Sequence, residues 1–329
     1  MDDVRWFAPN RFCTLVVPRL RDLGLAIALE GDRPARVAIA MDAQVAAAAY
    51  GYAARRRCPL IHYVWDLPPW RLGPGRHDWV WHVFGRYVRL PRLGPRYTER
   101  RGYYSRLSYV ARHAREVWVP SALTQQDVRQ RFGVIGRQVP FCYDSDRFTP
   151  GGGMAGGERP ETLLTLSRLV PSKNHAAVIR AAARFEPKLP VRVIGDGPDR
   201  GPLTRLASDL GVACEIEGGL SDEAVVAAYR TAGVAVCPSR FEGFGLTPME
   251  AIACAVPVVA SDIPPHREFL GGAPHYFALD DDDGLVAAIR AARRTPPPSP
   301  QVVCELTIDA AARRFAAGLR PYLGSAQAG

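Results

Sequence analysis

Short apolar runs and longer stretches of helical spacing take turns along the second half of the chain. Thr162–Leu166 (TLLTL) and Val191–Ile194 (VRVI) have strand length, whereas NHAAVIRAAAR at 174–184 carries apolar residues every three or four positions and predicts a helix. A helix is expected near Leu203–Leu210, a strand over Ala213–Glu217 and a further helix from Ser221. The stretch SDEAVVAAYRTA opens on a serine able to cap backbone N–H groups, and two acids follow where the helix dipole is positive. GVAVCP at 233–238 reads as a strand, followed by a helix after Pro248 and a strand over Pro257–Ala260. This rhythm predicts βαβ units and a parallel, doubly wound sheet.

The first half repeats the rhythm less clearly. Arg36–Ala40, Leu60–Val64 and Glu116–Val119 are strand candidates, and Val45–Arg55 and Leu123–Arg131 are helix candidates. The opening MDDVRWFAPNRF shows no clear strand and no glycine turn. Between the halves, DRFTPGGGMAGGERP holds five glycines and two prolines, the composition of a linker. TPPPSP at 295–300 precedes a helix around Leu306–Leu319. The expected organisation is therefore α/β. Two Rossmann-like domains, 1–145 and 161–300, flank a glycine-rich hinge at 146–160, and the terminal helix within 301–329 is free to pack back on the first domain.

Composition narrows the class. Of 329 residues, 47% are hydrophobic and 23% charged, and no apolar stretch approaches the roughly 20 residues that span a bilayer. The amino end has two acids and no apolar signal core, which predicts a cytoplasmic protein. Seven scattered cysteines without a CxxC pair fit a reducing compartment and argue against a disulfide framework or a zinc site. The net charge is +9, much of it between Arg86 and Arg115, where arginines and tyrosines interleave. That segment is open to three readings: a solvated face, a surface for nucleic acid or anionic lipid, or attraction of an anionic small substrate. No nucleic-acid fold motif accompanies it, so no nucleic-acid partner is expected.

Ligands of open α/β sheets bind beyond the carboxyl ends of the strands. Three loops of the second half occupy such places. SRLVPSKN (167–174) offers Arg168 and Lys173. GDGPDR (195–200) offers Gly195 and Gly197 but lacks the third glycine of a dinucleotide fingerprint. In RFEGFGLTPME (240–250), Glu242 is read directly after the strand, and Gly243 and Gly245 leave a ligand room to approach the backbone. Thr247 is read as N-cap, Pro248 as the first helical residue and Glu250 as the third. The helix amino end presents free N–H groups to an anion. Thr247 and Glu250 equally form a capping box that needs no ligand, and Arg168 and Lys173 taken alone are ordinary surface charges. All three loops in this order suit a diphosphate.

Residues 117–290 resemble the donor half of the glycosyl transferases group 1 (family 4, retaining, GT-B fold). PFCYDSDRFTP is similar to that family's NGVDxxRFxP segment, TLSRLVPSKN to its GRLxxxKG phosphate loop and VIGDGP to its GxGP turn. EGGLSDEAVVAAYRTAGVAVCPSRFEGFGLTPMEAIACAVPVVAS contains its E-x7-E pattern as Glu242 and Glu250. The resemblance implies two Rossmann-like domains with a cleft between them. It implies a retaining, metal-independent glycosyltransferase moving a hexose-type sugar from a UDP- or GDP-sugar to an acceptor hydroxyl, in natural-product or cell-envelope glycan synthesis, with no cofactor besides the donor. Arg168 and Lys173 would hold the diphosphate, and Glu242 would face the sugar hydroxyls. The N–H groups of Gly243, Phe244, Gly245, Leu246 and Thr247 would meet sugar and phosphate, Glu250 the ribose, and the turn of Gly195 and Gly197 the base.

The chain departs from the family at several points. Ser167, Asn174 and Ala255 stand where it has glycines, and the amino-terminal glycine turn is missing. Trp65 takes the place of the histidine in the family's His-Asp pair, with Asp66 matching the aspartate. Asp66 either orients an acceptor hydroxyl or caps a turn before Leu-Pro-Pro, and His62 either contacts the sugar or packs in the core. The segment from Trp65 to Arg106 would shape the acceptor site, and peripheral membrane contact stays open. The reading from another class is a non-catalytic nucleotide-sugar-binding protein of the same fold.

Overall fold

The computed structural model describes residues 1–7, 11–41, 43–68, 82–83, 86–87, 107–151 and 159–324. It divides into two compact units, Met1–Phe141 with Ala311–Gly329, and Cys142–Ala310. Most of the arginine- and tyrosine-rich segment between 86 and 115, and most of the expected acceptor segment 65–106, lie outside the described residues.

The first unit holds β1 (Asp2–Phe7), β2 (Ile27–Ala28), β3 (Ala35–Ala40) and β4 (Leu60–Tyr63). A separate antiparallel ribbon of β5 (His82–Val83) and β6 (Arg86–Tyr87) follows, then β7 (Glu116–Val119) and β8 (Gly136–Gln138). The main sheet runs β2-β1-β3-β4-β7-β8 and all its pairs are parallel. Helices α1 (Arg11–Asp22), α2 (Ala43–Arg56) and α3 (Ala122–Phe132) connect its strands.

One expectation is corrected here: the opening of the chain is a strand in the interior of the sheet. Val4 and Trp6 are fully buried at period two, but Arg5 between them interrupts the apolar signal. Arg5 is itself buried because its guanidinium lies 4.3 Å over the Phe7 ring and donates to the Trp6 and Ala28 carbonyls. The core of this unit is aromatic. Phe315 packs against Trp6, Phe12, Tyr63 and Trp118, with centroid separations of 5.3–5.8 Å.

The second unit carries β9 (Leu163–Leu166), β10 (Val191–Ile194), β11 (Cys214–Glu217), β12 (Val234–Cys237), β13 (Val258–Ser261) and β14 (His275–Phe277). They pair in the order β11-β10-β9-β12-β13-β14, all parallel. Counted within the unit this is 3-2-1-4-5-6, the doubly wound order whose direction reverses between its first and fourth strands. The reversal therefore falls between β9 and β12. Leu163, Val193, Val236 and Val259 are completely buried, each worth roughly 1.5–3 kcal/mol of transfer free energy.

The connecting helices are α4 (His175–Ala182), α5 (Arg200–Leu210), α6 (Asp222–Thr231), α7 (Leu246–Ala253), α8 (Pro264–Leu270) and α9 (Asp282–Ala292). Ser221 caps α6 by accepting from the Ala224 N–H at 3.2 Å, and Asp281 caps α9 by accepting from that of Gly284 at 2.8 Å. The aspartate run at 280–283 is thus a helix start.

The units divide at Phe141/Cys142 and at Ala310/Ala311, whereas the bounds expected from the sequence are 145 and 300. Residues 152–158 of the glycine-rich stretch lie outside the described residues, but its first part is anchored in the second unit. Arg230 donates to the Thr149 carbonyl at 3.0 Å, Phe148 meets Tyr229 edge-on at 5.8 Å, and Arg147 pairs with Asp222. The expected tail 301–329 is split. The 3-10 turn Pro300–Leu306 bonds to Tyr143 of the second unit, while α10 (Ile308–Leu323) carries Phe315 into the core of the first.

Candidate functional site

The three loops singled out in the sequence leave the carboxyl ends of β9, β10 and β12, and hydrogen bonds join them. Between the first two, Ser167 N donates to the Ile194 carbonyl at 3.0 Å, Leu169 N to that of Asp196 at 2.8 Å and Asp199 N to that of Leu169 at 3.0 Å. The glycines of GDGP are required by this contact. A Cβ on Gly195 would stand 1.9 Å from the Ser167 carbonyl oxygen, and one on Gly197 would stand 2.3 Å from that of Leu169. These two glycines let one loop lie on the other. Asp196 extends the seam, accepting from the Gly219 N–H at 3.1 Å.

The first and third loops meet at the reversal point of the sheet. Arg240 N donates to the Ser172 carbonyl at 2.8 Å, and Thr247 Oγ1 reaches the Leu166 carbonyl at 3.4 Å. Lys173 Nζ donates to Glu242 Oε1 at 2.5 Å, with the two side chains only 14% and 16% exposed. Arg168 is exposed on the same loop. Asn174 adopts the left-handed conformation (φ +56°) between the 3-10 turn and α4. Asparagine enters that region at low cost, which explains how it substitutes for a glycine here.

Two details of the third loop differ from expectation. Glu242 does not follow the strand directly: β12 ends at Cys237, and Pro238 to Phe241 intervene. Nor does a capping box start the helix. The N-cap is Gly245 (φ +93°), so α7 begins at Leu246, and Thr247 and Pro248 sit inside its first turn. Gly245 is required by the turn, since a Cβ there would be strained and would stand 2.9 Å from His266 Cδ2. Phe244 is buried against Phe269 at 4.5 Å. Glu250, one turn into α7, accepts from the Tyr229 hydroxyl at 3.1 Å. The Cys237 thiol registers both glutamates: burial pushes its pKa well up, and the charges of Glu242 and then Glu250 push it further.

Several buried polar groups hold these loops, and the sequence did not reveal them. His175 lies at the start of α4, 2% exposed, with Nδ1 3.0 Å from Thr165 Oγ1 and Nε2 2.9 Å from Ser167 Oγ and 3.3 Å from the Arg168 carbonyl. Burial pulls its pKa down to about 4, so the ring is neutral. The Arg168 carbonyl can only accept, which places the proton on Nε2 and leaves Nδ1 to accept from Thr165. Ser167, standing where the family has a glycine, thereby gains a partner.

His266 sits behind the third loop, 1% exposed, and donates from Nδ1 to the Ser261 carbonyl at 2.9 Å. Its Nε2 is buried without a partner among the described residues. Burial lowers its pKa, opposed by the Ser261 carbonyl and by Glu242. No apolar or capping pattern announces either histidine, although the partners lie at the end of the strand just before it.

The remaining expected residues belong to the first unit. Asp66 is half-buried, three residues past β4. Trp65 is half-buried, edge-on to Phe12 at 5.6 Å and donating its indole N–H to the Met41 carbonyl. His62 is completely buried on β4, and neither ring nitrogen has a partner among the described residues. Among the described residues, no three His, Cys, Asp or Glu side chains cluster as metal ligands, and no helix is long and apolar enough to cross a membrane.

A cavity of about 520 Å³ opens at the opposite, amino end of the second sheet, lined by Thr162, Val191, Arg192 and Cys214 among others. Burial pushes the Cys214 thiol up to about 11. With a neutral thiol and without the three hydrogen-bonded loops that meet at the other end, this cavity is the weaker candidate.

Residues 155–296 match the model of the family described as glycosyl transferases group 1. Among curated proteins, the chain is 36% identical over 168 residues to a GDP-mannose-dependent alpha-(1-6)-phosphatidylinositol monomannoside mannosyltransferase of Mycolicibacterium smegmatis, covering 45% of this chain and 42% of that protein. It is 36% identical over 145 residues to a D-inositol 3-phosphate glycosyltransferase of Geodermatophilus obscurus, covering 38% and 32%. These matches span less than half the length of either relative.

Among solved structures, Anabaena HepE in complex with UDP-glucose aligns with a TM-score of 0.65 at 14% identity, over 98% of this chain and 97% of that one. Sucrose-phosphate synthase from Thermosynechococcus elongatus aligns at 0.62 and 15%, over 88% and 70%. At such identities the likeness establishes the fold: two Rossmann-like α/β units of the GT-B type. Over residues 155–296, therefore, the chain is similar in sequence to the glycosyl transferases group 1 family.

Proposed function

We propose that this protein is a retaining, metal-independent glycosyltransferase that moves a hexose-type sugar from a UDP- or GDP-sugar to an acceptor hydroxyl. The observation that carries the reading is the Lys173–Glu242 pair at the reversal point of the second sheet, beside Arg168 and the amino end of α7. Breaking a sugar–phosphate bond leaves negative charge on the diphosphate. Fixed cations and a helix amino end stabilise that charge most where it is greatest, in the transition state. No divalent ion is then required to hold it.

In this reading the donor's phosphates take over Lys173 and Arg168 and meet the N–H groups of Gly243 to Thr247. Glu242, released from Lys173, accepts from sugar hydroxyls, and Glu250 accepts from the ribose. The turn of Gly195 and Gly197 flanks the base, and Asp66 of the first unit orients the acceptor. One relative and one structural neighbour support the donor class: the first is named for GDP-mannose, and the second was solved with UDP-glucose. None of the seven cysteines, all among the described residues, forms a disulfide, in keeping with work in the cytoplasm. The acceptor would be a natural-product scaffold or a cell-envelope glycan precursor.

Trp65, packed on Phe12 and bonded to the Met41 carbonyl where the family has a histidine, favours one rival, a nucleotide-sugar-binding protein without catalysis. Thermal-shift screening with UDP-, GDP-, ADP- and dTDP-sugars, then turnover with candidate acceptors in EDTA, separates the two. A donor that raises the melting temperature and is turned over supports the enzyme. Stabilisation without product supports the binder, and no stabilisation by any donor overturns both.

A further inference from the structure

Tyr229, in the last turn of α6, is completely buried. Its hydroxyl stands 3.1 Å from Glu250 Oε2 and 3.3 Å from the Thr247 carbonyl. A carbonyl oxygen and a carboxylate can only accept, so the single phenolic proton is shared between the first turn of α7 and the glutamate that the turn carries. The phenol never ionises in the working range. Burial, and after it the charge of Glu250, raises its pKa well above that of an ordinary tyrosine.

Phenylalanine would fill the same volume. The hydroxyl must therefore be explained by what it bonds, since a buried one left unpaired is costly. Phe148 meets the ring edge-on, and the adjacent Arg230 is tied to Thr149, so the ring sits on a fixed support.

We infer that Tyr229 is the positioning residue for Glu250: its hydroxyl fixes the carboxylate where that group meets the ribose of the bound nucleotide. The inference rests on the proposed contact of Glu250 with ribose. A free glutamate samples many rotamers, and ordering one costs conformational entropy. A charge-assisted hydrogen bond from an immobile phenol meets that cost before the ligand arrives. An ionised carboxylate has about four lone-pair sites, and Tyr229 uses one. Tyr229 does not touch the ligand. It sets the direction in which Glu250 accepts, and thereby the discrimination between ribose and deoxyribose.

The test is calorimetric binding of UDP, GDP and their 2′-deoxy and 3′-deoxy counterparts to the wild type, Tyr229→Phe and Glu250→Gln. The wild type prefers the ribonucleotide. Tyr229→Phe weakens ribonucleotide binding about tenfold, leaves the deoxynucleotides unchanged and keeps a melting temperature near that of the wild type. An unchanged preference in Tyr229→Phe, an equal loss for ribo and deoxy forms, or a variant that does not fold would each assign the hydroxyl to the fold alone and overturn the inference. The underlying reading fails separately. If the wild type does not distinguish ribose from deoxyribose, or Glu250→Gln leaves the preference intact, Glu250 is not the ribose contact and the inference falls with it.

Discussion

Lys173 and Glu242, 69 residues apart in sequence, share a 2.5 Å hydrogen bond at the point where the strand order of the second sheet reverses. In the proposed reading, the Glu242 carboxylate competes with a donor phosphate for the Lys173 ammonium. Removing that competitor has a distinctive consequence. Glu242→Gln is expected to abolish transfer while binding free UDP or GDP at least as tightly as the wild type. Lys173→Ala loses transfer and weakens nucleoside diphosphate binding by about tenfold or more. Calorimetry beside a turnover assay checks both, and weaker diphosphate binding by Glu242→Gln would remove the competition argument.

The same pair makes a prediction about stability. Each side chain is mostly buried, so truncating one strands the other at a cost of about 1–3 kcal/mol. The double variant Lys173→Ala/Glu242→Ala should therefore be less destabilised than the two single variants summed. Strict additivity in urea denaturation would show that the pair is not coupled.

Ala255 follows α7 with φ +54°, a left-handed conformation adopted where the family has glycine. Such a residue carries roughly 1–2 kcal/mol of strain, partly offset because glycine loses more entropy on folding. Ala255→Gly is expected to raise stability by up to about 1 kcal/mol without altering donor affinity. A lower melting temperature would contradict this.

Gly197 makes the opposite case. A methyl group there would overlap the Leu169 carbonyl, prying apart the two loops proposed to hold phosphate and base. Gly197→Ala should cost about 1–3 kcal/mol and weaken nucleotide binding as well. Binding that survives intact would mean the turn is not part of the site.

Acid should destabilise both units through buried histidines. Burial lowers His62 to about 3 and His175 to about 4, from an ordinary value of 6.5. Between those limits the unfolded chain binds protons that the folded chain refuses, so stability rises with pH across that window. It is lost as pH falls from about 6.5 towards 3–4 and is insensitive to these groups above 6.5. The slope approaches about 1.4 kcal/mol per unit for each ring. Because both nitrogens of His62 lack partners among the described residues, His62→Leu should flatten part of this slope and stabilise the protein by about 1–3 kcal/mol. Denaturation at pH 7.5 and pH 5 gives the comparison.

Much of the second unit could be read from local pattern. VRVI at 191–194 and the Ser221 cap fall where the structure has them, because an apolar run between turns and a hydroxyl before two acids are signals within a few residues. The three loops were likewise visible as glycines, cations and glutamates following predicted strands. β1 was less legible, because Arg5 is buried through a cation–π contact and carbonyls of other residues.

What the sequence by itself determined is therefore the alternation of strands and helices and the residue types offered at the strand ends. It could not say that α7 is capped by Gly245, that Tyr229 holds Glu250, or that His266 lies behind the glycine turn. Those facts depend on strand order, which brings the ends of β9 and β12 side by side although about 70 residues separate them. Hydrophobic periodicity reports which face of an element is buried. Only the assembled sheet decides which buried polar groups meet.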